Sequence, residues 1–178
     1  MTSATPAEPT QREVHLDNPL TDQKPGTSGL RKSSKQFEQP NYLESFIEAA
    51  LRTLPGTDGG TLVVGGDGRY GNVRAIDVIL RMAAAHGLGK VIVTTGGILS
   101  TPAASHLIRS KNAIGGIILS ASHNPGGPDG DFGVKVNGAN GGPTPASYTD
   151  AVFECTKTLS HYSIVDATPI SLEGPGHH

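Results

Sequence analysis

Glycine placement constrains this chain more than any other feature. Twenty of its 24 glycines lie between Gly56 and Gly142, and many follow directly on short apolar runs. Thr61-Leu62-Val63-Val64 runs into Gly65-Gly66, and Lys90 to Thr95 (KVIVTT) runs into Gly96-Gly97. Gly115 to Leu119 (GGIIL) leads into the small-residue stretch SASHNPGGPDGD. Short β-branched runs ended by glycine read as strands closed by tight loops. Phe132 to Val136 alternates like a fourth strand.

Helical spacing fills the gaps. Leu43, Phe46, Ile47, Ala50, Leu51 and Leu54 follow the i, i+3, i+4, i+7 rule and stop at Pro55-Gly56. Val73, Ile76, Ile79, Leu80 and Ala83 mark a second helix, with Asn72 as N-cap and Gly87 as the residue past its end. Thr101 before Pro102 reads as a cap followed by a proline start, with Leu107 and Ile108 on the apolar face. Thr144-Pro145 repeats that start before Tyr148, Val152, Phe153 and Leu159. The alternation predicts an α/β fold: a mixed, mainly parallel sheet sandwiched by helices. Such sheets bind ligands at the carboxyl ends of their strands, where these glycine loops fall.

Residues 1–22 hold little periodic apolar content and read as a mobile N-terminal tail. Residues 23–166 read as one domain and 167–178 as a C-terminal tail. Chelation by His177 and His178 is set aside in favour of that tail. A net charge of −2 with no long basic run argues against a nucleic-acid binder. No apolar stretch approaches the roughly 20 residues of a membrane span, and no signal-peptide core is visible at the N-terminus. Cys155 is the sole cysteine, which leaves no intrachain disulfide and suits a reducing, cytoplasmic setting.

Gly66-Asp67-Gly68-Arg69-Tyr70-Gly71 fits G-x-G-x-x-G between a strand and a helix, the context of a dinucleotide site. The next strand ends in Gly96-Gly97 instead of a ribose-binding acid, so a glycine turn with Asp67 or Arg69 bonding nearby backbone is preferred to a dehydrogenase domain. Asp129-Gly130-Asp131 lacks the further acids of a calcium loop and reads as solvated carboxylates. His86 and His106 read as surface or packing residues. Ser122 stands just past GGIIL in a loop of small residues that leaves its hydroxyl accessible. His123, its neighbour, points the wrong way to serve as its base. A phosphoryl carrier asks instead for surrounding N–H groups and a cation, and Lys135 lies on the return strand. From composition alone, a capping or turn serine remains the simpler reading.

The wording of the loop is more specific than its composition. Ser120-Ala121-Ser122-His123-Asn124-Pro125-Gly126-Gly127, followed by Gly130-Asp131-Phe132-Gly133-Val134-Lys135-Val136-Asn137, closely resembles the phosphoserine loop of the α-D-phosphohexomutases, phosphoglucomutase branch. Gln23 to Lys32 (QKPGTSGLRK) resembles that branch's N-terminal phosphate-contacting loop. Gly65 to Tyr70, Gly97 to Pro102 and Asn140 to Pro143 match in the same order. The resemblance runs from about Asp22 to Val165 and covers only the first of the family's four domains.

The resemblance implies a phosphohexomutase domain 1 fold and interconversion of glucose 1-phosphate and glucose 6-phosphate. A phosphoserine at Ser122 and a glucose 1,6-bisphosphate intermediate would carry the transfer. It makes Ser122, Lys135 and His123 the catalytic candidates. Thr27, Ser28, Gly29, Arg31, Ser122, Asn124 and Lys135 are the candidates for substrate and phosphate binding. Mg²⁺ is expected on the Ser122 phosphate, with its other ligands outside this chain. Hexose phosphates are the expected partners, with no nucleic acid and no membrane. The isolated chain is expected to turn over little or not at all, and an inert fragment acting as a binding or scaffold protein is the alternative.

Overall fold

The computed structural model describes residues 10–176. The elements in chain order are β1 Thr10–His15, β2 Leu30–Ser33, α1 Ser34–Phe37, α2 Tyr42–Thr53, β3 Thr61–Gly66 and α3 Asn72–Ala85. Then come β4 Lys90–Ile98, α4 Thr101–Ser110, β5 Gly115–Leu119, β6 Asp131–Gly138, α5 Ala146–Thr158 and β7 His161–Asp166. Five strands form one mixed sheet in the order β2-β6-β5-β3-β4. β5, β3 and β4 are mutually parallel, while β6 runs antiparallel to both β5 and β2.

Alternation sorts side chains between two cores. Leu62, Val64, Ile117, Leu119, Val134 and Val136 face the larger one with α2 and α3, whereas Val63 and Ile118 face α4 through Ala104 and Ile108. Each apolar side chain buried in this way contributes about 1.5–3 kcal/mol. The expected sandwich of helices around a mixed sheet is the architecture that forms. α5 docks on α2, where Tyr148 Oη donates to the Ala50 carbonyl at 2.9 Å.

The N-terminal segment departs from the tail expected of residues 1–22. Thr10–His15 pairs antiparallel with β7, from Thr10 opposite Asp166 to His15 opposite His161, and Arg12 Nε donates to Asp166 at 2.9 Å. Residues 1–9 lie outside the described residues, as do His177 and His178. In the expected C-terminal tail, Leu172 returns to the sheet edge, where its carbonyl accepts the Gly96 N–H at 2.6 Å.

Three helix starts also differ. Asn72 is the first helical residue of α3 instead of its cap; Gly71 caps it, and Asn72 Nδ2 donates to the Gly97 carbonyl at 3.2 Å. Ser100, not Thr101, caps α4, because its hydroxyl reaches the Ala103 N–H at 3.4 Å. Pro145 occupies the cap of α5, while Thr144 Oγ1 donates back to the Val136 carbonyl at 3.2 Å. Gly87, at φ +73°, takes the left-handed position expected past the end of α3.

Candidate functional site

β3 and β5 are adjacent and parallel, so the loops after both leave at the same end of the sheet. The loop after β3 carries Asp67 and Arg69, and the loop after β5 carries Ser120 and Ser122. Ser122 adopts φ +57°, uncommon for a residue with a Cβ. Its N–H donates to Ser120 Oγ at 3.0 Å, and its carbonyl accepts from Arg69 Nη2 at 3.1 Å. Both bonds use backbone atoms and, among the described residues, leave the exposed hydroxyl uncommitted.

Arg69 links three segments. Nε and Nη2 grip the Asp67 carboxylate at 2.9–3.0 Å, and Nη1 donates to the Asp131 carbonyl at 2.7 Å. Asp67 Oδ2 also accepts the Ser120 hydroxyl at 2.8 Å. Partial burial pushes the Asp67 carboxyl up. The bonds from Arg69 and Ser120 outweigh it and hold the group below the usual carboxylate range. This is the glycine turn that the sequence favoured over a dinucleotide site, with Asp67 Oδ1 accepting the nearby Arg69 N–H at 3.2 Å while the Arg69 side chain reaches distant backbone. What sequence reasoning missed is its target, the Ser122 loop 53 residues further on.

The far side of that loop is closed by Asn124, whose Nδ2 donates to Asp131 Oδ2 at 2.7 Å. Asn124 thus shapes the loop. His123 is exposed beside Ser122. A Cβ on Gly133 would collide with the Ser120 carbonyl oxygen, so glycine lets β6 run directly beneath the loop.

Arg31 and Lys135 lie on the antiparallel half of the sheet. Arg31 pairs with Gly133 across β2–β6, and Lys135 lies two residues further along β6, opposite Ile118 of β5. The two cations therefore share a sheet face, the one Ile118 turns toward α4. Arg31 Nε is buried without a hydrogen-bond partner among the described residues. Thr27, Gly29 and Lys135 line one small hollow with Thr144 and Tyr148. Gly29 stands at φ +86°, where a Cβ would strike the Val134 carbonyl oxygen, so the 26–29 turn seats directly on β6. Thr27 and Ser28 are exposed at the tip of that turn.

The described residues do not by themselves suit a divalent cation. No three of their His, Cys, Asp or Glu side chains gather at one point. Asp67 is engaged by Arg69 and Ser120, and Asp131 by Asn124. No helix among the described residues is long and apolar enough to cross a membrane.

Residues 22–163 match the model of the phosphoglucomutase/phosphomannomutase α/β/α domain I. The chain is 56% identical over 158 residues to a phosphoglucomutase of Rhizobium radiobacter, covering 89% of this chain and 29% of that protein. It is 54% identical over 159 residues to a phosphoglucomutase of Schizosaccharomyces pombe, with the same coverage. Among solved structures it resembles the open form of pp63/parafusin from Paramecium, described as an exocytosis-sensitive phosphoprotein and phosphoglucomutase. That match has a TM-score of 0.89 at 44% identity and covers 93% of this chain and 31% of the other. The chain spans less than a third of the length of these relatives.

Proposed function

The chain belongs to the phosphoglucomutase/phosphomannomutase family through its domain I, and from that membership we propose that Ser122 is the phosphoryl carrier of a mutase acting on hexose phosphates. The reading favoured is phosphoglucomutase, exchanging glucose 1-phosphate and glucose 6-phosphate in a cytoplasmic setting. Its main support is Ser122 itself: a hydroxyl without a bond among the described residues, on a residue of positive φ whose backbone is tied at both ends.

Phosphorylated Ser122 gives its phosphoryl group to the free hydroxyl of the bound sugar phosphate. The Ser122 P–O bond breaks as the sugar P–O bond forms, and the sugar proton passes to the serine oxygen. The resulting glucose 1,6-bisphosphate turns over and returns its other phosphate to Ser122, leaving the isomeric monophosphate. Lys135 lends positive charge at the transferring group or holds the travelling proton. Arg31 offers a planar fork to phosphate oxygens, and the turn carrying Thr27, Ser28 and Gly29 completes that phosphate contact. His123 stands beside the carrier to meet the sugar phosphate. Magnesium enters this reading as an ion whose protein ligands lie outside these 178 residues.

The test is intact mass after incubation with glucose 1,6-bisphosphate. The expected result is a gain of one phosphate on the wild-type chain and none on Ser122→Ala. No gain on the wild type overturns the proposal and favours an inert binding fragment. A coupled assay of the isolated chain is expected to find little turnover, because groups missing or misplaced by an ångström cost orders of magnitude in rate.

A further inference from the structure

Ser120 and Ser122 stand two residues apart at the mouth of the same loop, yet only one hydroxyl is free. Ser120 donates its proton to Asp67 Oδ2 at 2.8 Å and accepts the Ser122 N–H at 3.0 Å. A hydroxyl has one proton and two lone pairs, so the proton and one lone pair of Ser120 are already engaged. Ser122 has the opposite arrangement: its backbone is engaged at both ends, and its hydroxyl has no partner among the described residues. The Arg69 side chain is 7% exposed, and its guanidinium spans Asp67, the Asp131 carbonyl and the Ser122 carbonyl.

We infer that Asp67 and Arg69 are positioning residues that hold Ser122 in its left-handed conformation and select it over Ser120 as the phosphoryl acceptor. The inference rests on the carrier role proposed for Ser122. Transfer to either serine would form a P–O bond at Oγ, break the bond from phosphorus to the donor's sugar oxygen, and move the hydroxyl proton to that oxygen. At Ser122 the hydroxyl is free to do so. At Ser120 the hydroxyl must first give up its hydrogen bond to the Asp67 carboxylate, and the lone pair serving the Ser122 N–H must be kept or lost. Loss would release the Ser122 backbone at the same moment. The left-handed φ costs about 1 kcal/mol or more in a residue with a Cβ, so it persists only where such bonds hold it.

Two measurements test this on the whole chain with Asp67→Ala, Arg69→Met and the milder Ser120→Ala. Amide hydrogen exchange reads the hold on Ser122 without any phosphate donor. It is expected to accelerate at least tenfold at the Ser122 N–H in each variant, with exchange in β5 unchanged. Tandem mass spectrometry after incubation with glucose 1,6-bisphosphate reads which serine is labelled. The expected results are a Ser122 labelling rate at least tenfold lower in Asp67→Ala and Arg69→Met, and phosphate appearing on Ser120 in Asp67→Ala. A general loss of stability would not move phosphate from one serine to the other. Unchanged Ser122 exchange in the variants overturns the clamp, and labelling of Asp67→Ala that stays confined to Ser122 at the wild-type rate overturns the selection. If Asp67→Ala or Arg69→Met does not fold, Ser120→Ala decides on the same exchange criterion. A wild-type chain that takes no phosphate defeats the carrier role instead, and the exchange result still judges the clamp.

Discussion

The Glu48 carboxylate on α2 meets the His86 ring at the end of α3 at 2.9 Å, with only 1% of the Glu48 side chain left in solvent. Arg52 Nε and the Ser163 N–H of β7 donate to the same carboxylate at 2.7 and 3.1 Å. One buried acid thus fastens two helices and the β1–β7 ribbon. Burial pushes the Glu48 carboxyl up, but the bonds from His86, Arg52 and Ser163 outweigh it and hold the group below its usual 4.5. A carboxyl depressed in the folded state stabilises fully above its unfolded value and loses that contribution as pH falls through the folded value. Urea denaturation at stepped pH should therefore steepen below about pH 4.5 in the wild type. Glu48→Gln should flatten that acid limb and cost about 2–3 kcal/mol at pH 7, because one neutral amide cannot serve three donors.

Gly133→Ala tests how closely β6 must pass beneath the Ser122 loop. The new methyl would meet the Ser120 carbonyl oxygen, a backbone atom with nowhere to go. The expected cost is about 1–3 kcal/mol in chemical denaturation. The Ser122 amide exchange should rise more than that of α4, which lies away from the clash.

Arg31→Gln removes a charged donor whose Nε has no partner among the described residues. Isothermal titration with glucose 1-phosphate should find binding weakened about tenfold, or about 1.4 kcal/mol. The melting temperature should stay within about 2 °C, since no intramolecular bond of Nε is lost. Arg31→Lys should restore binding only in part, because an ammonium cannot reproduce the planar fork.

Leu172→Asp tests the return of the C-terminal segment to the sheet edge. Leu172 is half-buried against the larger core, and its carbonyl holds the Gly96 N–H at 2.6 Å. The variant should lose about 1–2 kcal/mol. Gly96 amide exchange should accelerate while the β3–β5 pairing, on the other side of β3, stays protected.

What could be read in advance followed from local rules. β3 and β4 announced themselves because β-branched runs end in glycine, β5 because an apolar run leads into a loop of small residues, and α2 and α3 because their apolar residues recur at helical spacing. β1 did not, since Thr10–His15 carries one apolar side chain, Val14, and owes its existence to a partner some 150 residues away. The caps went astray by a single residue because Ser100 and Thr101 are both good capping types, and only geometry decides which hydroxyl reaches Ala103. Among the candidate site residues, Ser122 and Lys135 stood out by their places in the loop and on the return strand, and Arg31 through its resemblance to a known loop. Ser120 did not, because its part depends on Asp67, which the chain brings beside it only on folding.

The pairing of Leu30 with Val134 bears on how such a site comes into being. β2 carries Arg31, yet among the described residues its one partner strand is β6, about a hundred residues downstream. During synthesis, α2, β3 and α3 can begin to gather while Arg31 still waits on an unpaired edge. The cation and the serine loop meet only after residue 134 has left the ribosome. Contacts of such long sequence separation form slowly, so this site should be among the last features to mature in a nascent chain.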